Sequence, residues 1–271
     1  MSLFQCSFYS HSLRTITKVN VCLPEYSSGQ VAAMTLEECY APRKPFPVLY
    51  LLHGMNGDET VWLRRTNVER YAGHLGMALV LPYGENNYYT DNAHGLKWFT
   101  YLTQELPLFV RAHFPVSTRR QDTFIAGLSM GGYGACKAAL RCPEQYAAFA
   151  SLSGALDVET IAREYNVNSY WEGLGDCIFH AGQPIGGSEE DVYALTRRLS
   201  ASGVRRPPAY LCCGTEDEEC MPMSRKLLEV MEECGYPHTW EEGPGAHEWD
   251  FWETYIRRAL DFFVSLPEEE R

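Results

Sequence analysis

The 271-residue sequence holds no run approaching the ~18 consecutive apolar residues of a membrane span, so a membrane-spanning helix is excluded. Its opening stretch, MSLFQCSFYSHSLRT, has no basic region ahead of an apolar one, so no secretory signal is expected and the protein reads as cytoplasmic. There is no Gly-x-x-x-x-Gly-Lys phosphate loop and no Gly-x-Gly-x-x-Gly dinucleotide turn. The stretch HEWDFW carries one histidine and two carboxylates but lacks the second histidine of a zinc helix, and Cys212 and Cys213 are adjacent, without a spaced thiol pair. Neither a metal nor a cofactor is expected. Positive charge is scarce: 23 Lys and Arg stand against 35 Asp and Glu, a net charge of −12. That disfavours nucleic acid or an anionic membrane as partner. Low-complexity tracts and internal repeats are also missing.

What is present suits a globular enzyme. Hydrophobic residues make up 45 % of the chain, enough for a full core, and the length fits one domain over residues 1–271. Ten cysteines in a chain of this size without a signal read as reduced thiols. The late acidic runs, such as Glu216–Glu219 and Glu268–Glu270, read as solvated faces.

Apolar runs alternate with helical spacing. LFQCSFYS and ITKVNVCLP read as neighbouring strands, and residues 24–46 as an exposed loop. PVLYLLHG, MALVLP, TFIAG, AAFASLSG and AYLCCG read as buried strands of a mainly parallel sheet. Helical stretches at 130–142, 221–234 and 249–264 lie between or after them, which predicts an α/β fold with helices on both faces. LKWFTYLTQELPLFVRAHF is amphipathic with Pro107 inside it, so an interrupted helix is expected. Residues 155–206 break the rhythm and read as an elaborated crossing or minimal cap with one helical stretch, EEDVYALTRRLSASG.

The stretch FIAGLSMGGYGACKAAL sets Ser129 between Gly127 and Gly131, where a strand gives way to a helix. Gly-x-Ser-x-Gly occurs by chance roughly once in ten chains of this size, but seldom in that context. A sharp strand–helix turn crowds the residues two positions away, which glycine relieves, and pushes the serine out at the carboxyl edge of the sheet. A serine nucleophile needs a base, and in this architecture the order is nucleophile, acid, histidine. Only His180, His238 and His247 follow Ser129, and His247 stands in a Gly/Pro-rich loop before an aromatic-rich helix, so it is the favoured base. Asp217, three residues past the strand end at Gly214, is the favoured acid, with Glu216 as runner-up. The oxyanion would be received by the Met130 amide and by Met55, or next by Asn56, in the loop LLHGMNGDE; His53 is expected to order that loop.

With LLHGMNGDETVWLRRTNVERYA, KWFTYLTQELP, AGLSMGGYGA, CGTEDEE and EEGPGAHEWDFW in place, the chain resembles the esterase D and tributyrin-esterase branch of the α/β-hydrolases, related to S-formylglutathione hydrolases and to feruloyl and acetylxylan esterases. The resemblance covers nearly the whole length. It implies hydrolysis of small esters, including acylated or feruloylated oligosaccharides, without a cofactor. It assigns Ser129, Asp217 and His247 as nucleophile, acid and base, and it implies a small lid or none. The loop LPYGENNYYTDNAHGLKW is where close relatives differ, so it does not carry over an acyl or alcohol preference. Tyr88, Tyr89 and Trp98 near it are candidates to flank a sugar or phenolic group, although Trp98 also fits a core position, and Asn56 is a further candidate to bind substrate. The rival readings are a thioesterase or peptidase on the same triad, and a silent binding protein on a hydrolase fold. Assembly into a homo-oligomer is left open.

Overall fold

The computed structural model describes residues 1–92, 95–168, 170–179 and 182–267. His180 and the acidic run 268–270 lie outside these.

Among the described residues eight strands form one sheet: β1 (Ser2–Ser10), β2 (Thr15–Leu23), β3 (Val48–Leu52), β4 (Ala78–Pro82), β5 (Thr123–Leu128), β6 (Ala148–Leu152), β7 (Ala209–Gly214) and β8 (His238–Gly243). Their spatial order is β1-β2-β4-β3-β5-β6-β7-β8. The β1–β2 and β2–β4 pairs are antiparallel and the rest are parallel. Every residue of β3 to β7 is buried, as strands covered on both faces must be. One face packs under the helix Met130–Arg141 with Tyr133, Ala135 and Ala138. The other packs under Trp249–Ser265, whose Phe251, Trp252, Tyr255, Ile256, Ala259, Leu260 and Phe263 recur at three- and four-residue spacing and make one apolar stripe.

Three sequence expectations change. Residues 24–46 hold two single-turn helices, Ser28–Val31 and Leu36–Cys39, each closed by a capping box, Ser27 with Gln30 and Thr35 with Glu38. The crossing 155–206 holds three described helices, Val158–Val167, Leu174–Phe179 and Val192–Ala201, where one had been expected. β8 was not foreseen: it is an edge strand whose polar residues HTWEEG are nowhere fully buried. The interruption near Pro107 is as expected. A π-turn over Tyr101–Glu105 precedes Leu106–His113, and such a turn accommodates a proline, which has no N–H and crowds the preceding turn.

Candidate active site

Ser129 links the end of β5 to the helix Met130–Arg141 with φ 53° and ψ −121°. A non-glycine residue held there stores about 1–3 kcal/mol of strain, so its surroundings must fix it. Its N–H donates to the Leu152 carbonyl at 3.0 Å, and its carbonyl accepts from the Tyr133 and Ala155 amides, each at 3.1 Å. The flanking glycines are obligatory. A Cβ on Gly127 would lie 2.3 Å from the Gly131 oxygen, and one on Gly131 would lie 2.5 Å from the Leu52 oxygen.

The loop after β3 abuts this turn, since a Cβ on Gly54 would stand 3.2 Å from the Ser129 Cβ. Buried His53 organises the loop. Its Nε2 accepts from the Gly84 amide at 2.9 Å, so the proton sits on Nδ1, which donates to the Gly54 carbonyl at 2.7 Å. Burial lowers its pKa, outweighing the opposing bond to Gly54 and the Asp58 charge, and so keeps the ring neutral. The Asn56 amide donates to Asn86 Oδ1 at 2.8 Å, so of the two oxyanion candidates in this loop it is the one already engaged. The Met55 amide takes part in none of these bonds. The Met130 amide opens its helix and has no intrahelical acceptor.

Asp217 and His247 meet beyond the ends of β7 and β8. The loops that carry them touch at Gly214, where a Cβ would lie 2.1 Å from the Gly245 oxygen. His247 Nδ1 donates to Asp217 Oδ2 at 2.7 Å, and the Cys220 amide donates to Oδ1 at 3.0 Å. The ionised carboxylate only accepts, so the proton lies on Nδ1 and Nε2 keeps its lone pair. Burial alone would raise the Asp217 carboxyl. The bonds from His247, Cys220 and Ser153 override it and hold the group below the ordinary carboxylate value. Asp217 is buried whereas Glu216, Glu218 and Glu219 are exposed, which separates the two candidate acids. His238 bonds the Tyr236 carbonyl from the start of β8. Asp217, Cys220 and His247 bring ligand-type atoms within 4.8 Å of one another. Burial pushes the Cys220 thiol far up, so without a metal it stays protonated.

Two residues that the sequence did not single out complete the arrangement. Ser153, fully buried with φ 46°, follows β6, whose end lies between Ser129 and Asp217. The Trp252 indole N–H donates to its hydroxyl at 3.2 Å, and because an indole can only donate, the hydroxyl proton is free to act on its other neighbours, among them the Asp217 carboxylate that it helps to hold low. The Trp252 ring also meets the His247 ring edge-on, with centroids 4.8 Å apart. Their signals were faint: a serine before the glycine at a strand end, and an aromatic five residues past the histidine.

The aromatic substrate candidates are corrected. Tyr89 is 1 % exposed, and its ring fills the space left by Gly84 and Gly134, where a Cβ on either would lie 2.5 Å away. Its hydroxyl donates to the His53 carbonyl, so it braces the loop after β3 from inside. Trp98 is buried edge-on against Tyr83 and Tyr101, and Tyr88 is buried with its hydroxyl on that of Tyr165. None of the three presents a ring to a ligand.

A mostly parallel sheet with helices on both faces, turning through a strained serine into a helix, is an α/β-hydrolase fold. The chain belongs to the Esterase family, whose model, described as "Putative esterase", matches residues 10–263, and the protein is a carboxylic ester hydrolase. It is 30 % identical to the acetyl esterase of Caldicellulosiruptor saccharolyticus, over 99 % of this chain and 100 % of that one. Among solved structures it resembles the substrate-bound fluorophosphonate-binding serine hydrolase F of Staphylococcus aureus, with a TM-score of 0.87, 28 % identity, and coverage of 98 % and 99 % of the two chains. It also resembles the S-formylglutathione hydrolase of the same organism, with a TM-score of 0.82, 28 % identity, and coverage of 97 % and 99 %. No helix among the described residues is long and apolar enough to cross a membrane.

Proposed function

We propose that the protein hydrolyses short-chain acyl esters, acetyl to butyryl, and aryl esters through Ser129, His247 and Asp217 and an acyl-enzyme. His247 Nε2 takes the Ser129 proton as the hydroxyl attacks the ester carbonyl. Asp217 holds the imidazole and balances its charge. The Met55 and Met130 amides receive the oxyanion. The imidazolium then protonates the leaving alcohol, and a water activated by the same nitrogen releases the acid. The observation that carries this reading is the His247–Asp217 bond of 2.7 Å, which leaves Nε2 as the base, at the same sheet edge as the strained Ser129. The acetyl esterase relative supports a small acyl group. The likeness to an S-formylglutathione hydrolase keeps a thioester as a second substrate of the same chemistry.

Ser129→Ala is expected to remain folded and to lose about 10⁶ in kcat on 4-nitrophenyl acetate, the scale known for a serine protease triad. Wild-type labelling by a fluorophosphonate, absent in the variant, locates the nucleophile. Undiminished hydrolysis by pure Ser129→Ala protein would reject the mechanism.

A further inference from the structure

Asp217, Cys220 and His247 gather a carboxylate oxygen, a thiol sulfur and a ring nitrogen within 4.8 Å of one another. Asp217 and Cys220 stand three residues apart at the turn into the helix Cys220–Glu233, and His247 comes from the loop after β8. Resting on the esterase reading above, we infer that these three side chains form an inhibitory site for a zinc-like divalent cation, which switches the enzyme off by taking over His247 Nδ1.

Zinc holds a carboxylate oxygen or an imidazole nitrogen at about 2.0–2.1 Å and a thiolate at about 2.3 Å, so around a tetrahedral ion the three ligand atoms stand about 3.3–3.6 Å apart. Here the separations run from 2.7 Å, between His247 Nδ1 and Asp217 Oδ2, to no more than 4.8 Å. Shifts of about 1 Å therefore seat the ion. The supports that orient metal ligands are already in place. The Cys220 amide holds Asp217 Oδ1 at 3.0 Å and leaves Oδ2 to turn from the imidazole to the ion, while Trp252 packs edge-on against the His247 ring. Asp217 and Cys220 are buried whereas His247 is exposed, so the ion enters past His247 and keeps a water there as its fourth ligand. A carboxylate, a thiolate and a neutral imidazole cancel the two charges of the ion, so the filled site is neutral and tolerates burial. The exposed Glu216, Glu218 and Glu219, in a chain of net charge −12, draw cations to the entrance. The thiolate selects zinc or cadmium over magnesium or calcium, which take oxygen ligands.

Binding releases one proton. The ion displaces the Cys220 thiol proton to solvent as the metal–sulfur bond forms. At His247 the ion takes a lone pair on Nδ1, and the ring proton passes through solvent to Nε2, because a neutral imidazole bound through one nitrogen carries its proton on the other. Nε2 is then a donor and cannot accept the Ser129 proton. The ion lies on the side of the ring that faces Asp217, so it lowers kcat with little change in KM. It is an inhibitor and not a cofactor. No zinc motif marks the site, because its ligands at 217, 220 and 247 form neither a spaced thiol pair nor a spaced histidine pair.

The test titrates metal-free enzyme with Zn²⁺, Cd²⁺ and Mg²⁺. It reads hydrolysis of 4-nitrophenyl acetate and, with Cd²⁺, the ultraviolet charge-transfer band of a cadmium–thiolate bond. Wild type is expected to lose kcat to Zn²⁺ or Cd²⁺ at unchanged KM, to recover it with a chelator, to ignore Mg²⁺, and to show the cadmium band in step with inhibition. Cys220→Ser keeps the amide that holds Asp217. It should lose the band and raise the inhibition constant, measured against its own metal-free rate, about 100-fold or more, since an outer partner of a metal ligand alone is worth about 10- to 100-fold. Cys177→Ser, which removes an exposed thiol elsewhere, should be inhibited as wild type is. The wild-type readings stand even if Cys220→Ser does not fold: no inhibition, inhibition without the band, or equal inhibition by Mg²⁺ would overturn the assignment. So would an unchanged inhibition constant in Cys220→Ser, or relief by Cys177→Ser. Failure of the triad reading is read separately. Ser129→Ala keeps all three ligands and should show the same cadmium band, whereas normal hydrolysis by that variant would overturn the mechanism and leave the band to report the site.

Discussion

Replacing Ser153 by alanine removes a hydroxyl that touches no substrate yet bonds two members of the site. In the native protein it accepts from the Trp252 indole, and its hydroxyl helps to hold the Asp217 carboxyl low. A hydrogen bond to an ionised group contributes about 1.5–3 kcal/mol, and a buried N–H left unpaired costs about 1–3 kcal/mol. Ser153→Ala should therefore fold but lose about 3 kcal/mol of stability, and Asp217 should become a weaker acid anchor for His247. The expected result on 4-nitrophenyl acetate is a fall in kcat of about 10- to 100-fold with little change in KM, because the damage reaches the reaction only through the imidazole. The stability deficit has a definite pH course. Asp217 has a lowered native pKa, so its contribution is fully present above its ordinary value of about 3.9 and is lost as pH falls through the native value. The variant's native pKa lies closer to 3.9, so the part of the deficit due to Asp217 should be full at neutral pH and vanish in acid, leaving that due to Trp252. Denaturant unfolding at pH 7 and pH 3, with steady-state kinetics on the same samples, reads all of this. A variant destabilised equally at both pH values, with wild-type kcat, would show that Ser153 merely fills space.

Asp217→Asn should cut kcat by about 10⁴ while Glu216→Gln stays within about twofold of wild type; kinetics on one activated ester decide, and a crippled Glu216→Gln would reassign the acid. Gly127→Ala forces a Cβ to 2.3 Å from the Gly131 oxygen, so the strand and helix must separate. It should cost about 3 kcal/mol or more and most of the activity, and a variant with the wild-type thermal midpoint would refute the crowding argument. The native fold keeps His53 neutral, whereas the unfolded chain protonates it below about pH 6.5. Stability should therefore decline as pH falls from there toward the lowered native value. His53→Asn should flatten thermal midpoints over that window, and an unaltered slope would place the titrating group elsewhere.

The proposed catalytic groups stood out in the sequence because each stands where backbone geometry restricts it. A strained turn needs Gly127 and Gly131, and the chain order then points to Asp217 and His247. β3, β5, β6 and β7 showed as unbroken apolar runs because both their faces are covered. β8 did not, since an edge strand with no fully buried residue needs no apolar pattern. The helix Val158–Val167 buries only three residues, too few to stand out in polar text. Tyr89 and Trp98 were misplaced for a different reason. An aromatic in a loop can face a ligand or the core, and Tyr89 turns inward because Gly84 and Gly134, fifty residues apart, leave room for its ring. Ser153 went unnoticed because its partners Trp252 and Asp217 are distant in sequence.

The helix that follows the proposed nucleophile presents a problem that the structure resolves. Met130–Arg141 begins with glycine at positions 131, 132 and 134, each costing about 1 kcal/mol against alanine, directly after the strained Ser129. Intrinsic propensity cannot hold that turn, so tertiary contacts must. The Tyr133 amide grips the Ser129 carbonyl, and the Tyr133 hydroxyl reaches Glu190 Oε2 at 3.0 Å. One turn on, fully buried Lys137 meets the same carboxylate at 2.7 Å and Thr90 Oγ1 at 2.6 Å. Burying an ion pair usually gains little stability over an apolar contact of the same shape. Its geometry is nonetheless specific, and this one joins the nucleophile helix to the crossing segment and to the loop after β4. The glycines let the helix lie close against the sheet and Tyr89, and the Glu190 cluster fixes its position along it. Both are needed if Ser129 is to keep a backbone conformation that it would leave when free.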